Sequence, residues 1–342
     1  MSNGLYFHIP FCRSKCPYCD FYSVKYEKEL AEKYTGRLCD EIKKYSGSFD
    51  TIYFGGGTPS ILESELIEKI IHASKAQFDV SKDCEITVEC NPSKNLEKDF
   101  EKYAEFGVNR ISIGMQSARN EERFALGRVA GQAEVAKAVS NARKAGITNI
   151  SLDVMLGTPK QTLDSLDETF SFIEKMNVTH ISAYMLKIEE NTKFFEIQDR
   201  LALPDEDTVC NMYLKTIKSL KNLGFEQYEI SNFAKPGYES RHNLKYWELD
   251  EYLGIGASAH SLWGGKRFYY DKDFNIIYDG IGGTEEEKIM LGLRLSKGID
   301  KSLIKKDYRN FIKMGLLGEN NDNIFLTQEG MLVSNTVISE LI

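Results

Sequence analysis

A chain of 342 residues has room for two domains, or for one large barrel with a small appendix. Hydrophobic residues make up 42% and charged residues 27%, the balance of a folded globular protein, which excludes wholesale disorder. With 43 Lys and Arg against 51 Asp and Glu the net charge is −8, which argues against a general nucleic-acid binder.

Along the chain, short β-branched or aromatic runs alternate with long amphipathic stretches. Strands are predicted at 5–9, 51–54, 85–90, 110–114, 149–155 and 180–186, and helices near 25–46, 60–77, 96–106, 132–145 and 162–176. Such alternation predicts a parallel sheet with right-handed crossovers. Six strands are too few for a closed eight-stranded barrel, so an α/β fold with an open or partial barrel, or a doubly wound sheet, is expected. Gly, Pro and polar residues follow each strand: Pro10-Phe11-Cys12, Gly55-Gly56-Gly57-Thr58-Pro59, Asn91-Pro92, Gln116-Ser117 and Gly157-Thr158-Pro159. These are carboxyl-terminal strand ends, where α/β folds bind ligands.

From about residue 190 the rhythm changes. A helix is predicted near 205–223, then a stretch rich in aromatic residues and Gly, then a tail of helices, a hairpin and a last helix. The expected division is 1–190 for the barrel, 191–283 for an extension, and 284–342 for a small winged-helix-like domain. That tail carries eight Lys and Arg against nine Asp and Glu, so no basic surplus favours DNA. No apolar run approaches the ~20 residues that span a bilayer, and MSNGLYFHIPFC has no signal-peptide pattern, so a cytoplasmic location is expected.

Of seven cysteines, three crowd one loop: Cys12, Cys16 and Cys19, spaced Cys-x3-Cys-x2-Cys. Seven is odd and the others are scattered, which does not suit a disulfide scaffold. Three thiolates in a tight loop can each hold one iron of a [4Fe–4S] cube and leave the fourth iron open. The alternative is a zinc site completed by Cys84 or Cys90. The Gly55–Gly57 turn has no side chains to keep a ligand from its backbone, or it is a plain strand-to-helix turn capped by Thr58 or Ser60. Glu89 and Asp153 near strand ends are either ligands for ribose or amine groups, or structural acids.

The cysteine loop leaving the first strand, Tyr18 before its last cysteine and the Gly-rich turn after the second strand together resemble the radical S-adenosylmethionine (SAM) superfamily. More closely, the blocks LYFHIPFCRSKCPYCDF, TIYFGGGTPSIL, NRISIGMQS, NISLDVMLGTPKQT, YEISNFAKPGYESRHNLKYW and YLGIGASAHS resemble its coproporphyrinogen III oxidase-like branch, and within it the HemW family of haem chaperones. The resemblance implies a partial (β/α)6 radical SAM barrel, a [4Fe–4S] cluster on Cys12, Cys16 and Cys19, and SAM held at Tyr6, Gly56, Gly57, Thr58, Glu89, Gln116, Arg128 and Asp153. It also implies haem as cargo, haem-accepting respiratory proteins as partners, and peripheral membrane association through the acceptor. The alternatives are an oxygen-independent coproporphyrinogen III dehydrogenase or another radical SAM enzyme. Phe21 stands where the dehydrogenases carry a further cysteine, and the first strand begins without their long N-terminal extension. Both features, and the motif His242-Asn243-Leu244-Lys245-Tyr246-Trp247, favour the chaperone. Planar rings can sandwich a porphyrin, so His242, Tyr246 and Trp247 are candidate haem contacts, with a structural role for His242 as the alternative. Ser258 departs from the family's usual Gly.

Overall fold

The computed structural model describes residues 2–92 and 96–342. Its core is a series of parallel strands, β1 (Asn3–Ile9), β2 (Ser48–Gly56), β3 (Asp79–Cys90), β4 (Arg110–Gln116), β5 (Asn149–Leu156) and β6 (His180–Met185). Each pairs with the next in chain order. The crossovers carry helices α1 (Lys28–Ile42), α2 (Ser64–Gln77), α3 (Leu96–Phe106), α4 (Asn120–Ala125), α5 (Gln132–Lys144) and α6 (Leu163–Met176). The predicted strands and crossover helices are all present. The largest extension is at the start of β3, where the mostly polar run Asp79-Val80-Ser81-Lys82-Asp83-Cys84 shows no clear apolar alternation but begins the strand beside β2.

Period-two alternation sorts the strand residues into two layers. Leu5, Phe7 and Ile9 of β1, Ile52 and Phe54 of β2, and Ile86 and Val88 of β3 are buried in the hydrophobic layer. Phe7 stacks on Phe54 with centroids 5.2 Å apart. Residues of the opposite parity are largely polar: Tyr6, His8, Thr51, Tyr53, Glu85, Glu89, Arg110, Ser112, Ser151, Asp153 and His180. The lumen of the partial barrel is therefore lined with hydrogen-bonding groups. His180 illustrates it: fully buried, its ring nitrogens meet Ser151 Oγ and Tyr228 Oη, each at 2.8 Å.

The chain between 191 and 283 extends the same sheet at both edges. After α7 (Glu206–Asn222), strands β7 (Glu226–Gln227) and β8 (Asn232–Ala234) add antiparallel pairing beyond β6. After α8 (Arg241–Glu248), strand β9 (Tyr252–Ile255) returns to pair parallel with β1, and β10 (His260–Trp263), β11 (Lys266–Tyr270) and β12 (Ile276–Ile281) follow antiparallel. Among the described residues twelve strands share this sheet, in the order β12-β11-β10-β9-β1-β2-β3-β4-β5-β6-β8-β7. The tail begins with α9 (Glu285–Gly292) and holds a three-stranded antiparallel sheet of β13 (Ile299–Asp300), β14 (Leu317–Glu319) and β15 (Asn323–Leu326), followed by two short helices. No described helix is long and apolar enough to cross a membrane.

Candidate metal and cofactor site

The cysteine loop leaves β1 at the carboxyl-terminal edge of the sheet. Its base is closed by parallel pairing of Phe11–Cys12 with Val24–Lys25, backed by the Tyr26 amide donating to the Cys12 carbonyl at 2.9 Å. Its middle is pinned by the Phe194 amide on the Pro17 carbonyl, 2.9 Å, and by Arg128, whose Nη2 donates to Tyr18 Oη at 3.0 Å. Cys12, Cys16 and Cys19 are free and partly exposed. Burial, foremost, pushes the Cys19 thiol up. Among the described residues no three Cys, His, Asp or Glu side chains converge on a single metal ion. A cube binds each thiolate on a separate iron, so one loop bearing three open thiols fits it without such convergence.

Zinc completed by Cys84 or Cys90 does not fit. Both lie on β3 with the parity of Ile86 and Val88, buried in the hydrophobic layer and turned away from the lumen. The same alternation that places Glu85 and Glu89 in the lumen keeps these thiols out of it.

Strand ends carry the remaining candidates. Thr58 Oγ1 lies 3.6 Å from Cys12 Sγ and accepts from Asn91 Nδ2 at 2.9 Å. Arg128 also donates to Asn91 Oδ1, so one guanidinium ties the cysteine loop to the end of β3. Gln116 is 6% exposed and sits at a register shift between β4 and β5, with φ of +69°. Asp153 accepts from Ser112 Oγ at 2.9 Å, and burial raises its carboxyl above the usual range. Glu89 accepts from Tyr53 Oη at 2.8 Å; burial, with the Asp153 charge adding, raises it to about 7. Two carboxyls held high in one lumen suit hydroxyl or amine recognition more than free solvation.

Tyr6, His8, Gly56 and Glu89 form part of a cavity of about 700 Å³ beside the cysteine loop, whose Lys15, Asp20 and Phe21 complete that wall. Tyr246, Tyr252, Ser258 and His260 line it from the other side. The volume is within the ~300–1,000 Å³ of small-molecule sites. The Gly56–Gly57 turn is tighter than its sequence suggests. Gly56 has φ of +110°, and a Cβ there would lie 2.6 Å from the His8 ring; one on Gly57 would meet the backbone of residues 9–11 at 2.9 Å. A side chain at 56 would therefore strike His8, inside the protein, before it reached any ligand.

The six-residue block around His242 departs most from expectation. It forms α8, which is seated against the amino-terminal halves of β1–β3. Arg241 and Lys245 pair with Asp50 at 3.2 and 2.9 Å, and the His242 amide donates to Glu85 Oε1 at 3.1 Å. His242 is 1% exposed. Its ring stacks on Tyr53, 5.1 Å between centroids, and its nitrogens meet Thr51 Oγ1 and Tyr246 Oη, both at 2.8 Å. Both ring nitrogens are engaged, so His242 in this structure is a packing residue and not an open haem ligand. Trp247, one residue on and ~100° around the helix from Tyr246, packs under Arg294 of the tail at 5.9 Å instead of joining the cavity. Tyr246 alone of the three reaches the cavity wall. Sequence reasoning missed Tyr53, Ser112 and His260 as residues of the site; the polar parity of the strands was the signal available for the first two.

Residues 6–173 match the radical SAM superfamily. Relatives named heme chaperone HemW include that of Lactococcus lactis, 32% identical over 99% of this chain and 97% of its own length, and that of Bacillus subtilis, 34% identical over 97% of both. The HemW of Escherichia coli is 38% identical over 75% of this chain and 69% of its own. Among solved structures, coproporphyrinogen III oxidase (HemN) from Escherichia coli superposes with a TM-score of 0.82 over 99% of this chain and 90% of that one, at 21% identity, a likeness of fold. Relationship from end to end at this level settles the family: the chain belongs to the HemW family of the radical SAM superfamily.

Proposed function

We propose that the protein is a haem chaperone that binds haem and passes it to haem-requiring respiratory proteins. The observation carrying this reading is the identity of 32–34% along 97% of the length of relatives named heme chaperones, against 21% for the oxidase of like fold. Phe21, 60% exposed at the cavity, supports it, since it offers an apolar face where the dehydrogenases carry a thiol.

In this reading Cys12, Cys16 and Cys19 hold a [4Fe–4S] cluster, and SAM is held by Tyr6, Gly56, Gly57, Thr58, Glu89, Gln116, Arg128 and Asp153. When bound, the cluster supplies one-electron chemistry and an iron open to an exogenous ligand. The chain's own residues do the positioning. Thr58 sits against Cys12, and Arg128 clamps Tyr18 and Asn91 so that loop and strand ends keep one geometry. Glu89, protonated up to about pH 7 and oriented by Tyr53, presents either a donor or an acceptor to a ligand hydroxyl. The cavity walls, Tyr6, Glu89, Tyr246 and Tyr252 among them, would shield one side of a bound ligand from water.

Anaerobic reconstitution with iron and sulfide, followed by parallel haem titration and coproporphyrinogen assays, tests the proposal. Haem binding without porphyrinogen consumption is expected, followed by transfer to a haem-free respiratory acceptor. Vinyl porphyrinogen product, formed in step with SAM cleavage, would overturn it in favour of the dehydrogenase.

A further inference from the structure

A haem ligand must present a ring nitrogen to open space, and the five histidines differ sharply in this respect. His8 is 4% exposed, with its nitrogens 3.1 Å from Tyr6 Oη and 3.1 Å from the Tyr22 carbonyl. His180 and His242 are buried with both nitrogens bonded inside the lumen. His72 lies on α2, on the outer layer of helices, beside Glu68. His260 is unlike all of these. It is exposed, it opens β10 at the carboxyl-terminal edge of the sheet, and it forms part of the cavity wall. Among the described residues neither of its ring nitrogens makes a hydrogen bond, while its ring stacks on Tyr269 with centroids 5.0 Å apart and planes at 26°.

We propose that haem docks at the mouth of the 700 Å³ cavity with His260 as its axial ligand, an assignment that rests on the haem-binding reading above. The surroundings carry the remaining requirements of a porphyrin. Phe21, 60% exposed, gives an apolar surface for the macrocycle. Lys15, exposed on the same wall, gives an ammonium for a propionate. Tyr269 holds the imidazole plane, so little ring freedom is lost on ligation. The cavity floor, with Tyr6, Gly56 and Glu89, is left to SAM, so cargo and cofactor share one cavity at different depths.

Anaerobic, cluster-loaded protein, its three loop thiols occupied, would be titrated with ferric haem and followed by Soret absorbance and electron paramagnetic resonance. His260→Ala is expected to weaken binding about tenfold or more and to erase the imidazole-ligated signature, with free imidazole restoring it. His260→Met, which offers a thioether at the same exposed position, should give a different ligated spectrum. His242→Ala should keep the wild-type haem spectrum. A wild-type spectrum and affinity in His260→Ala would overturn the assignment and leave haem binding standing. Failure of the wild-type protein to bind haem would overturn both.

Discussion

Replacing His242 with Ala should destabilise the protein in a pH-dependent way. The side chain fills a buried slot against Tyr53 and Tyr6 and satisfies the hydroxyls of Thr51 and Tyr246. Emptying an aromatic-sized slot costs about 3–5 kcal/mol in a core. The slot is polar and takes water, which offsets part of this, so a deficit of about 3 kcal/mol is expected near pH 7.5. Burial, with Lys245 and Arg110 adding their charge, lowers the imidazole from 6.5 to about 3. Between those values the unfolded chain binds a proton that the folded chain does not, so wild-type stability rises with pH through that window. Going down from pH 7.5 to 5 crosses about one and a half pH units of it, at about 1.4 kcal/mol each, a loss of about 2 kcal/mol. The alanine variant lacks this titration. Its deficit should therefore shrink to about 1 kcal/mol at pH 5, read by urea unfolding followed by circular dichroism at the two pH values. A deficit that is constant or larger at pH 5 would refute the buried, neutral imidazole.

Single replacement of Cys12, Cys16 or Cys19 by Ala should abolish the brown chromophore and the bound iron and sulfide, whereas Cys39, Cys84 and Cys210 should be dispensable; a full zinc complement without sulfide in anaerobically purified protein would contradict this. Gly56→Ala places a Cβ 2.6 Å from the His8 ring in a left-handed backbone, so it should displace His8 and abolish the effect of SAM on the resonance of the reduced cluster while iron is retained. An unchanged SAM effect would show that the turn does not hold SAM. For Glu89→Gln the sign is opposite to that at His242. The folded-state carboxyl is raised from 4.5 to about 7, so the folded chain keeps a proton that the unfolded chain releases, and wild-type stability falls as pH rises through that window. The Gln variant escapes this and should gain about 3 kcal/mol on wild type between pH 4.5 and 8 in denaturant melts, a gain whose absence would place Glu89 in solvent.

What the sequence determined alone is what covalent spacing and local periodicity control. Cys12, Cys16 and Cys19 share a loop whatever the rest of the chain does, because three thiols within eight residues cannot separate far. The strand and helix runs of the first 190 residues are legible because their alternation and amphipathic periods are local. The end of β1 at Ile9 and of β2 at Gly56 likewise follow from the Pro and Gly that come next. The pairing of Tyr252–Ile255 with β1 is not of this kind, since Tyr252 pairs with Gly4, far upstream in the chain, and no local period encodes it. Nor is the fate of the His242 block. Its aromatic composition suits a porphyrin platform and a packed core equally, and the choice is made by Thr51, Tyr53 and Glu85, on two strands about 160–190 residues upstream. Once those groups meet the imidazole, burial and two hydrogen bonds hold it inside, and His260, whose nitrogens meet no such partners among the described residues, is left exposed on the cavity wall. Burial of a polar side chain depends on which distant groups answer its hydrogen bonds, and only the folded chain brings those groups together.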